Sequence, residues 1–156
     1  MKNLVSIIII NWNNKFYIER CVNSILNQTY KNLEVIFIDN NSSDGSFEYF
    51  NNKYNKFNFI KVKNQNNLGY SGAANQGIEL SNGEYIIIMN PDIIMNSDFI
   101  ERIYDYIIKD DGVAAVSGKL LKYDFKSDEK LNIIDSTGII MYRNRDCIDR
   151  GQNELD

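Results

Sequence analysis

Apolar residues along this chain follow two alternating rhythms. Val5 to Ile10 is a β-branched run of the kind found in a strand buried on both faces, and Val35-Ile36-Phe37-Ile38 and Tyr85-Ile86-Ile87-Ile88-Met89 repeat it. Between the first two runs, Ile18, Val22, Ile25 and Leu26 recur at helical spacing, with Asn13 or Asn14 suited to cap the start. A shorter helix is predicted around Phe47, Phe50 and Tyr54, after the turn-forming stretch Asn40-Asn41-Ser42-Ser43-Asp44-Gly45. Phe59-Ile60-Lys61-Val62 alternates like a short strand. A third helix is predicted from near Gly72, where Ala73, Ala74 and Gly77 would allow close approach to a sheet. A fourth places Ile100, Ile103 and Ile107 on one face, capped by Asn96 or Ser97, and Val113 to Ser117 reads as another strand. Beyond Gly118 come a charged loop from Asp124 to Lys130, apolar alternation from Ile133 to Tyr142 and a polar tail.

Strands alternating with helices predict an α/β fold: a mostly parallel sheet flanked by helices, in one domain over residues 1–156. In such folds ligands gather beyond the carboxyl ends of the strands. Each strong run here ends in a polar cluster: Asn11-Trp12-Asn13, Asp39-Asn40-Asn41 and Asn90-Pro91-Asp92. Turn chemistry alone favours Asn and Asp at such points. The types also suit a nucleotide, which needs a flat surface, acceptors for base N–H groups and a cation for its diphosphate. Trp12 offers a platform or ordinary core packing. Asp39 offers an acceptor for a pyrimidine N3–H or a cap for its own turn. Pro91, the only proline, stiffens the corner before Asp92, as a metal ligand or a structural turn would require.

Composition narrows these options. Ten Tyr and eight Phe are an aromatic load that disordered chains lack. Seventeen basic against 21 acidic residues argue against a nucleic-acid surface, so an anionic ligand has to be met locally by a cation, a helix N-terminus or backbone amides. With no histidine, Ser-His-Asp hydrolysis and His-ligated metals are excluded, and any metal would be held by oxygen, which selects Mg²⁺ or Mn²⁺. Cys21 and Cys147 form no CxxC pair, and the apolar stretch at the start is too short to span a bilayer. These features predict reduced thiols in a cytoplasmic protein without a transmembrane segment, compatible with peripheral association at the inner face of the membrane. The stretch from Asn67 to Gly77 fits neither a dinucleotide fingerprint nor a Walker loop.

In this order the motifs resemble those of family 2 glycosyltransferases. Ile10-Asn11-Trp12-Asn13 is similar to the family's first strand end, and Ile38-Asp39-Asn40-Asn41-Ser42-Ser43-Asp44-Gly45-Ser46 to its Asp-Asp/Asn-x-Ser-x-Asp-Gly segment. Asn67, Gly69, Asn75 and Gly77 follow, and Asn90-Pro91-Asp92 stands in place of the Asp-x-Asp metal motif, with a neutral amide for the first carboxylate. The resemblance implies a GT-A fold, with residues 1–118 as the nucleotide-sugar-binding part and 119–156 as the start of the acceptor side. It implies nucleotide-sugar binding by Asn11, Trp12, Asn13, Asp39, Asn67, Gly69, Asn75, Asn90 and Asp92, with Asp92 also holding a divalent cation, Mn²⁺ or Mg²⁺, on the donor diphosphate. It further implies inverting transfer to a glycan or lipid-linked acceptor. The family's catalytic base finds no match before Asp156; Asp135 and Asp146 are unmatched. Asn90-Pro91-Asp92 with Asp135-Ser136-Thr137-Gly138 and Arg150-Gly151 resembles the branch using dTDP-rhamnose. Two rivals fit parts of the pattern. A nucleotidyltransferase-like enzyme would carry a Gly-rich basic loop after its first strand, which Asn11-Trp12-Asn13 is not. A non-catalytic carbohydrate- or protein-binding module of the same fold would differ by lacking turnover.

Overall fold

The computed structural model describes residues 2–156. The chain divides into two compact units, one running through Glu101 and the other from Arg102 to Asp156.

The first unit is built on a four-stranded parallel sheet. Its elements are β1 (Val5–Asn11), α1 (Lys15–Leu26), β2 (Leu33–Asp39), α2 (Ser46–Lys53), β3 (Ile60–Lys63), α3 (Gly69–Leu80) and β4 (Tyr85–Met89), in spatial order β3-β2-β1-β4. The β-branched runs form the two central strands because both of their faces are covered: all seven residues of β1 are buried, as are the last five of β2. One face of the sheet carries Ile8, Ile10, Ile36 and Ile38 against Ala73 and Ala74 of α3. Close approach here depends on Gly77, where an added Cβ would lie 2.5 Å from Ile8 Cγ2 and 3.1 Å from Ile38 Cδ1. Side chains alternate across a strand, so Phe37 points to the opposite face. There it stacks on Phe50 of α2 with ring centroids 3.7 Å apart.

Strand β4 departs from its reading as a doubly buried strand, since Ile86 and Ile88 are each 38% exposed. The cause is position: β4 lies at the sheet edge and α3 lies over β1 and β2. Helix α3 begins at Gly69, three residues before the expected Gly72, because Gly69 takes a left-handed φ of 71° that turns the chain into the helix. Neither cap predicted for α1 bonds its own helix. Asn14 occupies the cap position without a side-chain hydrogen bond to the helix, and the first helical N–H, from Lys15, donates instead to Asp44 Oδ2 at 2.9 Å.

At the amino-terminal ends of the strands, the buried Ser6 hydroxyl donates to Glu34 Oε1 (2.6 Å) and accepts from the Gly83 N–H (2.8 Å). Burial alone would raise the Glu34 pKa, but hydrogen bonds from Asn82 and Ser6 outweigh it and hold the carboxyl below its usual range. That end of the sheet is closed by its own side chains. Helix α4 (Phe99–Ile107) follows, and the boundary between the units falls within it. Neither Asn96 nor Ser97 shows a side-chain cap on α4; the Phe99 N–H donates to the Asn96 backbone carbonyl at 3.0 Å.

The second unit contains two antiparallel hairpins, β5 (Leu120–Asp124) with β6 (Glu129–Ser136), and β7 (Ile139–Met141) with β8 (Cys147–Asp149). Arg150 joins them through bonds to the Thr137 hydroxyl (2.9 Å) and the Thr137 carbonyl (2.6 Å). The strand expected at Val113 to Ser117 is irregular backbone. Its β-branched content meets no pairing strand among the described residues, and a strand without a partner has nothing to hold it extended. No helix among the described residues is long and apolar enough to cross a membrane.

Candidate functional site

Parallel strands end on the same rim, so the three polar clusters noted in the sequence share one edge of the sheet. Asn11 and Asp39 are register partners at the last positions of β1 and β2. Strand β4 ends at Met89, level with Ile9, and the chain then leaves that rim through Asn90, Pro91 and Asp92.

The centre of the rim is a buried amide–carboxylate pair. Asn11 and Asp39 are both fully buried, and Asn11 Nδ2 donates to Asp39 Oδ2 at 2.8 Å. Asp39 Oδ1 accepts from the Ser42 N–H at 2.9 Å, so its turn-capping role is present. Both oxygens are thus engaged, and each keeps one lone pair for a further donor. The other side of the amide is different: Asn11 Oδ1 is buried without a hydrogen-bond partner. Leaving such an acceptor unpaired costs about 1–3 kcal/mol.

Around this pair the loop after β1 and the turn after β2 are laced together. The Ser42 hydroxyl accepts from Asn11 Nδ2 (3.1 Å) and from the Asn13 N–H (2.9 Å). Asn13 Oδ1 accepts from the Ser43 N–H at 2.8 Å, with Asn13 itself at a left-handed φ of 54°. Asp44 accepts from Lys15 N–H and from both the N–H and hydroxyl of Ser46. Burial opposes ionisation of Asp44, but the bonds from Ser46 and Lys15 prevail and lower its pKa. Trp12 stands between these anchored residues with its side chain 54% exposed.

The predicted residues after β3 divide by role. Asn67 Oδ1 is taken up internally, accepting from Asn40 Nδ2 (2.7 Å) and from the Gly69 N–H (2.8 Å). Asn40, almost fully buried, also holds the Leu68 N–H and Asn64, which pairs with Gln76 of α3 in a two-way amide contact at 3.0 Å each way. Asn75 lies exposed on α3. Ser42, Asn40, Asn64 and Gln76 were not among the sequence candidates. Only the Asp39-x-x-Ser42 turn pattern hints at one of them, since their partners lie 12 to 31 residues distant.

Asp92 is exposed beyond β4, and its charge reaches α1, where it adds to burial in pushing the Cys21 thiol up to about 12. No group of three or more His, Cys, Asp or Glu side chains among the described residues is arranged to hold a metal. The Asp92 carboxylate and the Asn90 side-chain oxygen, two residues apart in the sequence, are hard-oxygen donors of the kind Mg²⁺ or Mn²⁺ accepts. An open groove of about 790 Å³ runs along the outer side of α1 and touches this rim at Asn13 and Asp44, but its lining includes none of Trp12, Asp39 and Asp92.

A parallel sheet flanked by helices, with acidic and amide residues at its carboxyl-terminal rim, is an α/β fold of the GT-A type. Residues 6–153 match the family Glycosyl transferase family 2, and the chain belongs to it. It is 34% identical over 125 residues to glycosyltransferase GlyG of Streptococcus pneumoniae, covering 80% of this chain and 41% of that protein. The crystal structure of S. aureus TarS in complex with UDP-GlcNAc superposes with a TM-score of 0.62 at 22% identity, over 68% of this chain and 31% of that one. A mannosyltransferase from Pyrobaculum calidifontis in complex with GDP-Man and Mn²⁺ gives 0.56 at 23% identity, over 60% and 29%. The chain thus spans well under half the length of these relatives.

Proposed function

We propose that this chain binds a nucleoside-diphosphate sugar at the carboxyl-terminal rim of its sheet and serves the transfer of that sugar, with inversion, to a glycan or lipid-linked acceptor. The observation that carries this reading is the buried Asn11–Asp39 pair with its unpartnered acceptor at the meeting point of β1 and β2. A buried polar group in that state fits a site completed by a ligand. Family membership and the TarS likeness support the choice of ligand.

In this reading the base lies against Trp12 and is read by the acceptors of Asn11 and Asp39, which select a pyrimidine with an N3–H, uracil or thymine. Asn13, Asn67 and Gly69 shape the pocket's walls, Asn75 lies further along α3, and Asn90 faces the ribose. Asp92 supplies one ligand to Mn²⁺ or Mg²⁺, and the cation stabilises the diphosphate as it leaves. The donor in this reading is a UDP- or dTDP-sugar, and the resemblance of Asn90-Pro91-Asp92 to the rhamnosyltransferase branch makes dTDP-rhamnose one candidate. The acceptor's base is not one of these rim residues, and Asp135 and Asp146 belong to the second unit.

Thermal-shift measurements with UDP, dTDP and GDP, each with and without Mn²⁺, test the base and the cation together, because a ligand that binds only the folded state raises the midpoint. UDP or dTDP with Mn²⁺ is expected to raise it, and GDP to do so less. A preference for GDP, or no shift with any nucleotide, contradicts the reading.

A further inference from the structure

Trp12 is anchored by residues that belong to a different loop. Its neighbours are pinned on both sides: the Asn11 carbonyl accepts from the Asn40 N–H (2.7 Å), and the Asn13 N–H donates to the Ser42 hydroxyl (2.9 Å). Its own carbonyl accepts from Asn14 Nδ2 at 3.1 Å. Backbone on either side is therefore fixed while Trp12 itself stays 54% exposed. Of these ties, those that cross between loops converge on the turn after β2. Ser42 takes two donors from the β1 side, Ser43 donates to Asn13, and Asp44 takes the first N–H of α1.

Asn13 gains from this arrangement in a specific way. A non-glycine residue at positive φ is strained unless its surroundings hold it there, and the bonds to Ser42 and Ser43 supply that restraint from the other loop. Without them the residue is free to return to the ordinary region of backbone space, and Trp12 moves with it.

We propose that Ser42 is a positioning residue that sets the pose of Trp12 for the nucleotide. It acts by clamping the backbone of the β1–α1 loop through one hydroxyl that accepts two hydrogen bonds, from Asn11 Nδ2 and the Asn13 N–H. The binding arm of this inference rests on the reading of the rim given above.

Trp12 is the only tryptophan in the chain, so its emission reports this loop alone. Time-resolved anisotropy of the ligand-free protein is compared for wild type, Ser42→Ala, Ser42→Thr and Asn13→Gly, with circular dichroism melts as a folding control. In wild type and Ser42→Thr the indole is expected to tumble with the whole chain. Ser42→Ala should gain a fast local component and bind UDP–Mn²⁺ about tenfold more weakly, the scale of one or two lost hydrogen bonds. Asn13→Gly loses the Ser43 contact but keeps its access to positive φ and its N–H bond to Ser42, so its indole is expected to tumble with the whole chain, and a fast component there would assign the restraint to the Asn13 side chain and overturn the role given to Ser42. A Ser42→Ala protein with wild-type anisotropy, or one with a mobile indole and unchanged UDP affinity, overturns the proposal. Because the anisotropy is read without ligand, it decides the clamp even where no nucleotide binds wild type, an outcome that would refute the reading of the rim instead.

Discussion

Asp44 shows how much one carboxylate at this rim does. Its oxygens terminate α1 from outside that helix, through the Lys15 N–H, and also hold Ser46 at the start of α2. Its lowered pKa turns this into a pH dependence. A depressed carboxyl stabilises the fold fully above the unfolded value of about 3.9 and loses that contribution as pH falls through the lower folded value. Unfolding midpoints measured from pH 6 to pH 2 should therefore fall steeply below about pH 4. Asp44→Asn should be less stable than wild type at pH 6 and lose less on acidification. Glu34, lowered by Asn82 and Ser6 against its burial, keeps part of the acid limb in that variant. Equal acid dependence in the two proteins would show that Asp44 makes no net contribution.

At the scale of elements, α3 is placed by what its residues lack. Ala73, Ala74 and Gly77 face the sheet, and the contact at Gly77 leaves no room for a methyl group. Gly77→Ala should cost about 1–3 kcal/mol despite the better helix propensity of alanine, because Ile8 and Ile38 have to shift. Urea unfolding measures this, and a stabilised variant would mean that α3 lies further from the sheet than the structure shows. The helix was legible in the sequence from those small residues. Its start at Gly69 was not, since the choice depends on Asn67 and Asn40 meeting across a turn. In the same way Tyr85–Met89 reads as a fully buried strand from its composition, and only strand order reveals that Ile86 and Ile88 sit at an uncovered edge. Val113 to Ser117 carries strand-like residues but lacks a pairing partner, which no local pattern can announce.

The whole molecule carries a net charge of −4, so its mean field works against an anionic ligand, and a diphosphate has to be held by local chemistry. Parallel topology concentrates that chemistry, since it brings Asn11, Asp39 and the Asn90–Asp92 corner to one rim although they are spread along most of the first unit. The sequence exposed these residues because each follows an apolar run directly. It concealed the hydroxyl and amide web that fixes them, because that web is defined by register and not by spacing. The most direct measurement of the account is a calorimetric titration of UDP into wild type and Asp92→Ala, in Mn²⁺ and in chelator. Wild type with Mn²⁺ should bind, and removing either the cation or the Asp92 carboxylate should weaken binding by about tenfold or more, the scale of a charge-assisted contact. Uridine without phosphate should bind both proteins alike. Equal UDP affinity in wild type and Asp92→Ala with Mn²⁺ would contradict a cation-bridged diphosphate at this rim.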